Sequence, residues 1–322
     1  MPFFVILIIG RVKMNEMNKK IIELINQNKN LKQISKALNL SEKQIYVRIK
    51  QIINYGYNLE PTYSYNSDIY FNLKNEDILK TKNKIDIKMP SNENNFRAIV
   101  ISDLHIGCKD SDIKLIDSVY EYAAKNGINI ILNCGDNIEG DYTSAEKTIK
   151  NIHSQLEYFI KKYPYDKNIL NFNLYGNHDY HSFLADGLDI SKTIQNSRYD
   201  IITAGIGQAN IHIKHDNIIL FHKLKDGFKP IINSEKIVLS GHSHMMKTKL
   251  RDIFWIGIPT LSYKSNDKTK DVIPGFVDLS IDMENNKFEY AEAKHMIINP
   301  NIVQVSEVRG KVKTLFNDNR RK

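Results

Sequence analysis

The sequence predicts an α/β domain with a mixed sheet, preceded by a small all-α domain. Between residues 96 and 200, short apolar segments typical of buried strands alternate with segments whose apolar residues recur at helical spacing. Residues 15–56 contain three successive helical patterns. Beyond residue 200 the pattern changes to hairpins, so a mixed sandwich fits the second half better than a doubly wound parallel sheet.

The first 14 residues form an apolar segment that differs from a signal peptide. The positively charged residues Arg11 and Lys13 come after the apolar run of residues 3–9, whereas a signal peptide has its positive charges before its apolar region. The run is also far shorter than the roughly 20 residues that span a bilayer. Met14 or Met17 is an alternative start, which leaves open whether residues 1–13 are translated.

Residues 15–56 are predicted to form three short helices. Ile21 and Ile25 belong to the apolar stripe of the first helix, and Ile34 belongs to that of the second. Ser41, with Gln44 three residues later, is a capping-box pattern that opens the third helix.

The second and third of these helices resemble a helix-turn-helix. Ser35 is the small residue required where helices cross, and Asn39 tolerates the positive φ that the turn needs. In that motif the third helix enters the major groove, so the candidate DNA-facing residues are Glu42, Lys43, Tyr46, Arg48 and Lys50. The alternative is a small helical module that binds a protein partner, or a second copy of the chain, and leaves a lysine face in solvent.

Residues 57–95 are predicted to be a linker, with a short hairpin possible near residues 63–71 and a turn-forming stretch at 90–95. Residues 96–300 are the α/β domain, and residues 301–322 are a basic tail. The expected strands and helices alternate along the first half: strand 97–102, helix 113–123, strand 128–132, helix 149–160 and strand 169–174. The second half is expected to hold a hairpin over 211–221 that turns at Asp216-Asn217, then strands at 237–239 and 276–281.

The net charge of +8 is concentrated at the two ends of the chain. Residues 11–54 carry ten Lys or Arg and three Asp or Glu, the last 20 residues carry six and two, and the remainder is slightly acidic. Basic terminal segments are compatible with nucleic acid. Two cysteines, Cys108 and Cys134, give no disulfide framework, so we expect a cytoplasmic protein without a membrane segment.

Five polar clusters follow apolar segments in the α/β domain. They are Asp103-x-His105-x-Gly107, Gly135-Asp136-x-x-Glu139, Gly176-Asn177-His178-Asp179, His222, and Gly241-His242-Ser243-His244. The successive gaps of 33, 41, 45 and 20 residues each fit one crossover or hairpin, so the clusters are expected at one edge of the fold. Five of the ten histidines fall in these clusters.

This set of side chains is suited to metal binding. Carboxylate oxygens, an amide oxygen and imidazole nitrogens are ligands for manganese, iron and zinc. Seven such donors are too many for one tetrahedral ion and about right for two ions roughly 4 Å apart. A glycine before a ligand lets the backbone approach the ion closely.

The five clusters, in this order, resemble the motifs of the calcineurin-like metallophosphoesterase superfamily. The sequence of the first cluster is similar to that of the nuclease-like branch of this superfamily. The resemblance covers roughly residues 96–260 and implies a four-layer α/β/β/α sandwich with a dinuclear centre. It implies that Asp103, His105 and His244 hold one ion, that Asn177, His222 and His242 hold the other, and that Asp136 bridges them. His178 would stabilise phosphoryl charge or protonate the leaving group, with Asp179 orienting it.

One position departs from the family. Lys223 follows His222 where the family often has glycine, and this lysine could contact a substrate phosphate or point to solvent. His212 and His215 are rival candidates for the lone histidine. Manganese is the expected metal, with iron, zinc and magnesium as alternatives.

The substrate expected from the sequence is DNA. The helix-turn-helix-like module and the basic tail favour a phosphodiesterase or nuclease, because Lys and Arg supply most non-specific affinity for DNA. One alternative is a phosphomonoesterase or nucleotide phosphodiesterase whose N-terminal helices regulate it. A further alternative is a DNA-associated regulator in which the metal site is structural.

Overall fold

The computed structural model describes residues 15–73, 84–141, 146–265 and 272–312, and it divides the chain into two compact units. The predicted segment at residues 1–14 and the last ten residues of the predicted basic tail lie outside the described residues. Among the described residues, no helix is both long enough and apolar enough to cross a membrane.

The first unit contains three helices and a hairpin. They are α1 (Glu16–Asn26), α2 (Leu31–Leu38), α3 (Glu42–Asn54), β1 (Leu59–Ser64) and β2 (Ile69–Leu73). Helix α3 begins where its capping box predicts, with Ser41 and Gln44. Asn30 with Gln33 forms a second complete capping box, at the start of α2. Asn39 ends α2 at φ 51°, in the left-handed region predicted for the turn.

The apolar stripes of these helices form the core of the first unit. The fully buried side chains include Ile21, Ile34, Ile45 and Ile49. Each stripe recurs at helical spacing, so its members meet on one face and leave the polar residues to solvent.

The second unit is a mixed α/β structure. Its strands are β3 (Lys84–Lys88), β4 (Asn95–Ile101), β5 (Ile130–Asn133), β6 (Leu170–Tyr175), β7 (Ile201–Ile206), β8 (Gln208–Ile213), β9 (Asp216–Phe221), β10 (Ile237–Ser240), β11 (Thr248–Leu250), β12 (Phe254–Gly257), β13 (Gly275–Glu284), β14 (Lys287–Asn299) and β15 (Asn301–Lys311). Its helices are α4 (Ile113–Lys125), α5 (Ile152–Lys162), α6 (Asn177–Asp186) and α7 (Ile190–Ser197).

Two sheets meet in this unit. The hydrogen-bonded strand order is β11-β12-β10-β9-β8-β7-β6-β5-β4-β13-β14-β15, and β3 pairs with β8. Strands β4 to β7 are parallel to one another, and so are β9, β10 and β12. Between β7 and β8 only Ile206 and Gln208 are paired, across a tight turn at Gly207 with φ 70°. This point separates a first sheet, which contains β4 to β7 and β13 to β15, from a second sheet, which contains β3 and β8 to β12.

The core of this unit lies between its first sheet and the helices. Ile99 and Ile131 of the sheet are fully buried in one apolar cluster with Val119 of α4 and Phe159 of α5. The second sheet is covered by loops instead of helices. Loop side chains such as Phe228 pack on its strands, and no helix occurs in the described residues after 201. The arrangement confirms the predicted α/β class.

The structure departs from the sequence prediction at three places. The predicted linker contains β1, β2 and β3, of which the first two form the hairpin that was considered possible. The hairpin of β8 and β9 turns at Lys214-His215 instead of Asp216-Asn217. Residues 301–311 of the predicted tail are strand β15, which pairs with β14 and has mostly exposed side chains.

Candidate metal centre

The five polar clusters all follow the carboxyl ends of strands. Asp103 and His105 follow β4, Asp136 follows β5, and Asn177 opens α6 after β6. The remaining ligand candidates follow two strands of the other sheet, His222 after β9 and His242 and His244 after β10. Parallel strands present their carboxyl ends at a common edge, so side chains distant in the sequence become neighbours.

The side chains predicted for the first ion lie together. Asp103, His105 and His244 each offer a ligand atom within 4.8 Å of the others. The Nε2 atoms of His105 and His244 are 3.2 Å apart, and Nε2 of His244 is 3.3 Å from Oδ1 of Asp103. Three donors therefore converge on one point.

The side chains predicted for the second ion form a neighbouring group around Asp136. Nε2 of His222 lies 3.1 Å from Oδ2 of Asp136 and 3.1 Å from Oδ1 of Asn177. Nδ1 of His242 lies 3.0 Å from the same amide oxygen. The same Asp136 oxygen is 4.0 Å from Nε2 of His105, so this carboxylate lies between the two groups, as a bridging ligand would.

The backbone is strained at the ligand positions. Five candidate ligands that are not glycine adopt a left-handed φ of 48° to 71°: Asp103, His105, Asp136, His242 and His244. Each such residue costs on the order of 1–3 kcal/mol, a cost that folded proteins accept mainly at functional sites. Seven buried or half-buried donors aimed at two adjacent points fit a pair of divalent cations, because such donors are costly to bury without a partner.

Glycine is required where the chain approaches these ligands. A Cβ at Gly135, whose φ is 108°, would lie 2.7 Å from Nδ1 of His222. A Cβ at Gly176 would lie 2.7 Å from Nε2 of His222 and closer still to Asp136. The glycines predicted to allow close approach therefore stand directly against the ligand side chains.

The electrostatics of the site favour ionised carboxylates. Burial by itself would raise the pKa of Asp136, but the adjacent His222 outweighs that effect and holds this pKa well below its usual range. The pKa of Asp103 is lowered in the same way, with His244 as the main opposing charge. Burial would lower the pKa of His222, but Asp136 raises it to about 9.

His178 lies at the border of the metal groups. Its backbone N–H donates to Oδ1 of Asp136 at 2.9 Å, and its ring centroid is 4.5 Å from that of His105. Nδ1 lies 2.7 Å from the carbonyl oxygen of Glu139. A carbonyl only accepts, so Nδ1 carries a proton and Nε2 is the atom available for chemistry.

Asp179 has a different role from the one predicted. Its carboxylate accepts hydrogen bonds from the backbone N–H groups of Gly176, Asn137 and Ile138 at 3.0–3.2 Å. It therefore fixes the loop after Asp136 to the start of α6, and the Glu139 carbonyl takes the orienting role at His178.

Two residues of the site were not assigned a role from the sequence. Glu139 is fully buried, and its Oε2 lies 3.1 Å from Nδ1 of His105, which directs Nε2 of that ring toward the metal group. Lys264 donates to both Glu139 oxygens at 2.7 and 2.9 Å. Burial would raise the pKa of Glu139, but the hydrogen bond to His105 and the charge of Lys264 help to lower it to about 2. Glu139 stands three residues after Asp136, a usable signal, whereas nothing in the sequence marks Lys264.

The remaining candidates make contacts outside the ligand groups. Lys223 contacts Asp226, with Nζ 2.6 Å from Oδ1. His212 bonds to Asn217 within the β8–β9 hairpin, and His215 is exposed at its turn.

The candidate DNA-facing residues of α3 differ in exposure. Lys43 is exposed, and Arg48 is half-buried with Nη1 3.4 Å from Oδ1 of Asn18. Tyr46 is only 9% exposed, because it packs in the apolar core of the first unit, so the prediction that it faces DNA is wrong. Burial lowers the pKa of Lys50, whose Nζ lies 5.2 Å from the centre of the Tyr46 ring.

A mixed α/β unit whose strand ends bring together two groups of Asp, Asn and His is typical of a metal-dependent hydrolase. The chain belongs to the calcineurin-like phosphoesterase superfamily, whose domain matches residues 96–275. It is therefore a hydrolase that acts on ester bonds, with candidate ligands for a dinuclear divalent metal site.

Solved structures of several proteins are similar to this chain. The phosphoesterase Yfce from E. coli is 15% identical over 66% of this chain and 98% of its own, with a TM-score of 0.43. The nuclease MPE from Pseudomonas putida is 13% identical over 77% of this chain and 100% of its own, with a TM-score of 0.30. Zinc-complexed Vps29 from Entamoeba histolytica is 13% identical over 67% and 99%, with a TM-score of 0.37. No curated protein matches the chain.

Proposed function

We propose that the chain is a dinuclear, manganese-dependent phosphodiesterase that cleaves DNA in the cytoplasm. The observation that carries the proposal is the convergence of seven donors, of which Asp136 lies between the two groups, with His178 at their border. The mixed nitrogen and oxygen donor set suits manganese, and it also suits iron or zinc. The two buried, unpaired cysteines are consistent with a reducing compartment.

The residues of the chain have separable roles in this proposal. When bound, two divalent cations would supply an activated water and neutralise charge on the phosphoryl oxygens. The Glu139 carbonyl holds the proton on Nδ1 of His178, so this ring gains or releases its second proton at Nε2. A protonated Nε2 can donate to the departing oxygen of the ester. Glu139 fixes the His105 ring, so this ligand needs no reorganisation before reaction.

Two features of the first unit support DNA as the substrate. Residues 11–54 carry ten Lys or Arg against three Asp or Glu. Helices α2 and α3 are joined by the left-handed Asn39, as in a helix-turn-helix, and Lys43 is exposed on α3. We propose that this unit binds DNA and raises the concentration of substrate at the metal centre.

The test compares three substrates in the presence of manganese: bis-p-nitrophenyl phosphate, p-nitrophenyl phosphate and single-stranded DNA. We expect turnover of the diester and of DNA. Turnover of the monoester alone would refute the diesterase and favour a phosphomonoesterase. Replacing Lys43 and Arg48 with glutamine is expected to weaken DNA binding and leave diester hydrolysis unchanged. A matched pair, Lys20→Gln with Lys29→Gln, removes two exposed charges outside α3.

A third experiment tests whether the metal site has only a structural role. His178→Ala should lower the hydrolytic rate by about two to four orders of magnitude, which is the usual contribution of a general acid. A metal site with only a structural role would leave DNA binding and all other functions intact in this variant.

A further inference from the structure

A groove begins at the loop that carries two of the candidate metal ligands. Its lining starts at Ser243, which stands between His242 and His244, and it continues along β11 and β12. The groove has a volume of about 540 Å³, within the range of roughly 300–1,000 Å³ typical of ligand sites. It is therefore large enough for part of a substrate, and its lining includes the residue that stands between two candidate ligands.

One wall of the groove is strongly basic. Lys247, Lys249 and Arg251 are exposed, and all three line the groove. Lys249 lies in β11, Lys247 precedes this strand, and Arg251 follows it at a bend. The lining contains one acidic residue, Asp252. Within the described part of the chain, none of the three cations forms an ion pair.

An aromatic ring lies against the same wall. Trp255 pairs directly with Lys249 in the antiparallel register of β11 and β12, so both side chains project from the same side of the sheet. The Trp255 ring is half-buried and packs on Phe221, with ring centroids 6.2 Å apart. Phe221 also packs on Phe228, so the Trp255 ring belongs to a fixed aromatic cluster on this face of the sheet.

The basic wall is held in place by the sheet. The Gly257 N–H donates to the Lys247 carbonyl oxygen at 2.8 Å. A Cβ at Gly257 would lie 2.8 Å from the Met245 carbonyl oxygen, so glycine permits this segment to cross β12 closely. The backbone of Lys247 and Lys249 is therefore held in place before any ligand binds, which lowers the entropy cost of binding.

We propose that this groove binds a single strand of the DNA substrate and leads its backbone to the metal centre. Successive phosphates lie on Lys247, Lys249 and Arg251, and a base stacks on Trp255. A positively charged groove and an aromatic ring are the two elements by which proteins hold single strands without reading their sequence. The inference rests on the proposed phosphodiesterase function and names the form of DNA that the site takes.

The test is a triple variant of the intact protein, with Lys247, Lys249 and Arg251 each changed to glutamine. We measure its binding to a fluorescent single-stranded oligonucleotide at several salt concentrations, and its cleavage of the same oligonucleotide. Loss of three phosphate contacts should reduce the slope of log affinity against log salt by about 2, since each contact to a single strand contributes roughly 0.7. Affinity should fall at least about tenfold, and kcat/KM for the oligonucleotide should fall with it.

A charge-matched control separates this effect from net charge. Lys125, Lys161 and Lys162 are exposed at the carboxyl ends of α4 and α5, and helices that follow parallel strands end at the edge opposite the strand ends. Their replacement by glutamine should leave the salt slope near that of the wild type. An equal loss of oligonucleotide affinity and of salt slope in both triple variants would overturn the proposal that the groove binds the strand.

The hydrolysis of bis-p-nitrophenyl phosphate separates a failure of the proposed phosphodiesterase function from a failure of the groove proposal. This diester has no extended backbone, so the groove variant should hydrolyse it at the wild-type rate. If the wild type does not hydrolyse it, the proposed function fails. If both proteins hydrolyse it and the groove variant also retains wild-type DNA binding and salt slope, only the groove inference fails. Tighter binding of an oligoribonucleotide of the same sequence would overturn DNA as the occupant.

Discussion

The substitution Gly176→Ala tests whether the ligand groups work as the structure places them. Gly176 precedes Asn177 and has φ −91°, a conformation that alanine adopts without strain. The added methyl group would lie 2.7 Å from Nε2 of His222, whereas ordinary contacts begin at 3.4 Å. The His222 ring must therefore move by about 0.7 Å, and Asp136, which is closer, must move further.

This displacement should affect catalysis far more than folding. A misplacement of about 1 Å at a catalytic centre can reduce the rate on the order of 100-fold. We therefore expect kcat/KM for bis-p-nitrophenyl phosphate with manganese to fall about 100-fold, together with weaker manganese binding in calorimetric titration. The circular dichroism spectrum of the variant should match that of the wild type.

The matched control is Gly187→Ala at the other end of α6. Gly187 has φ 65°, and a Cβ there would meet no atom within 4 Å, so alanine brings backbone strain without a clash. Such strain costs roughly 1–2 kcal/mol of stability, which should lower the melting temperature while kcat/KM stays unchanged. Wild-type kcat/KM and manganese affinity in Gly176→Ala would refute the arrangement of His222 and Asp136 as ligands.

Three further predictions concern other parts of the chain. Glu139→Gln should weaken manganese binding about 10- to 100-fold in calorimetric titration, because His105 loses the carboxylate that orients its ring; unchanged affinity would show that this contact is dispensable. His178→Ala should keep its metal content, measured by mass spectrometry, while kcat for the diester falls by about two to four orders of magnitude; a wild-type kcat would exclude His178 from the reaction. Asn39→Ala should destabilise the α2–α3 turn by about 1 kcal/mol, because alanine is strained at φ 51°, and amide exchange in α2 and α3 should accelerate; Asn39→Gly should not accelerate it.

The local features of the fold were predictable because they depend on neighbours in the sequence. The capping box of Ser41 and Gln44 forms within one helical turn, and the left-handed Asn39 needs only its own tolerance of positive φ. The structure places both where the sequence predicts them. Strand β15 was not predicted, since this edge strand is defined by its pairing with β14 and buries no apolar face.

The sequence by itself determined which side chains could form a metal centre. Motifs such as Asp103-x-His105 and Gly176-Asn177-His178 are short, and each follows a strand whose end fixes where its side chains point. These motifs come together at one edge because each gap between them fits one crossover or hairpin, and the lengths of the gaps can be read from the sequence.

Only the tertiary structure decided how the centre is supported. Lys264 reaches Glu139 across 125 residues, and Glu139 in turn orients His105. No periodicity or spacing marks such a contact, because it depends on where a loop from one sheet lies against the strand ends of the other. The same holds for the groove, in which Lys249 and Trp255 share a side only because β11 and β12 pair in that register.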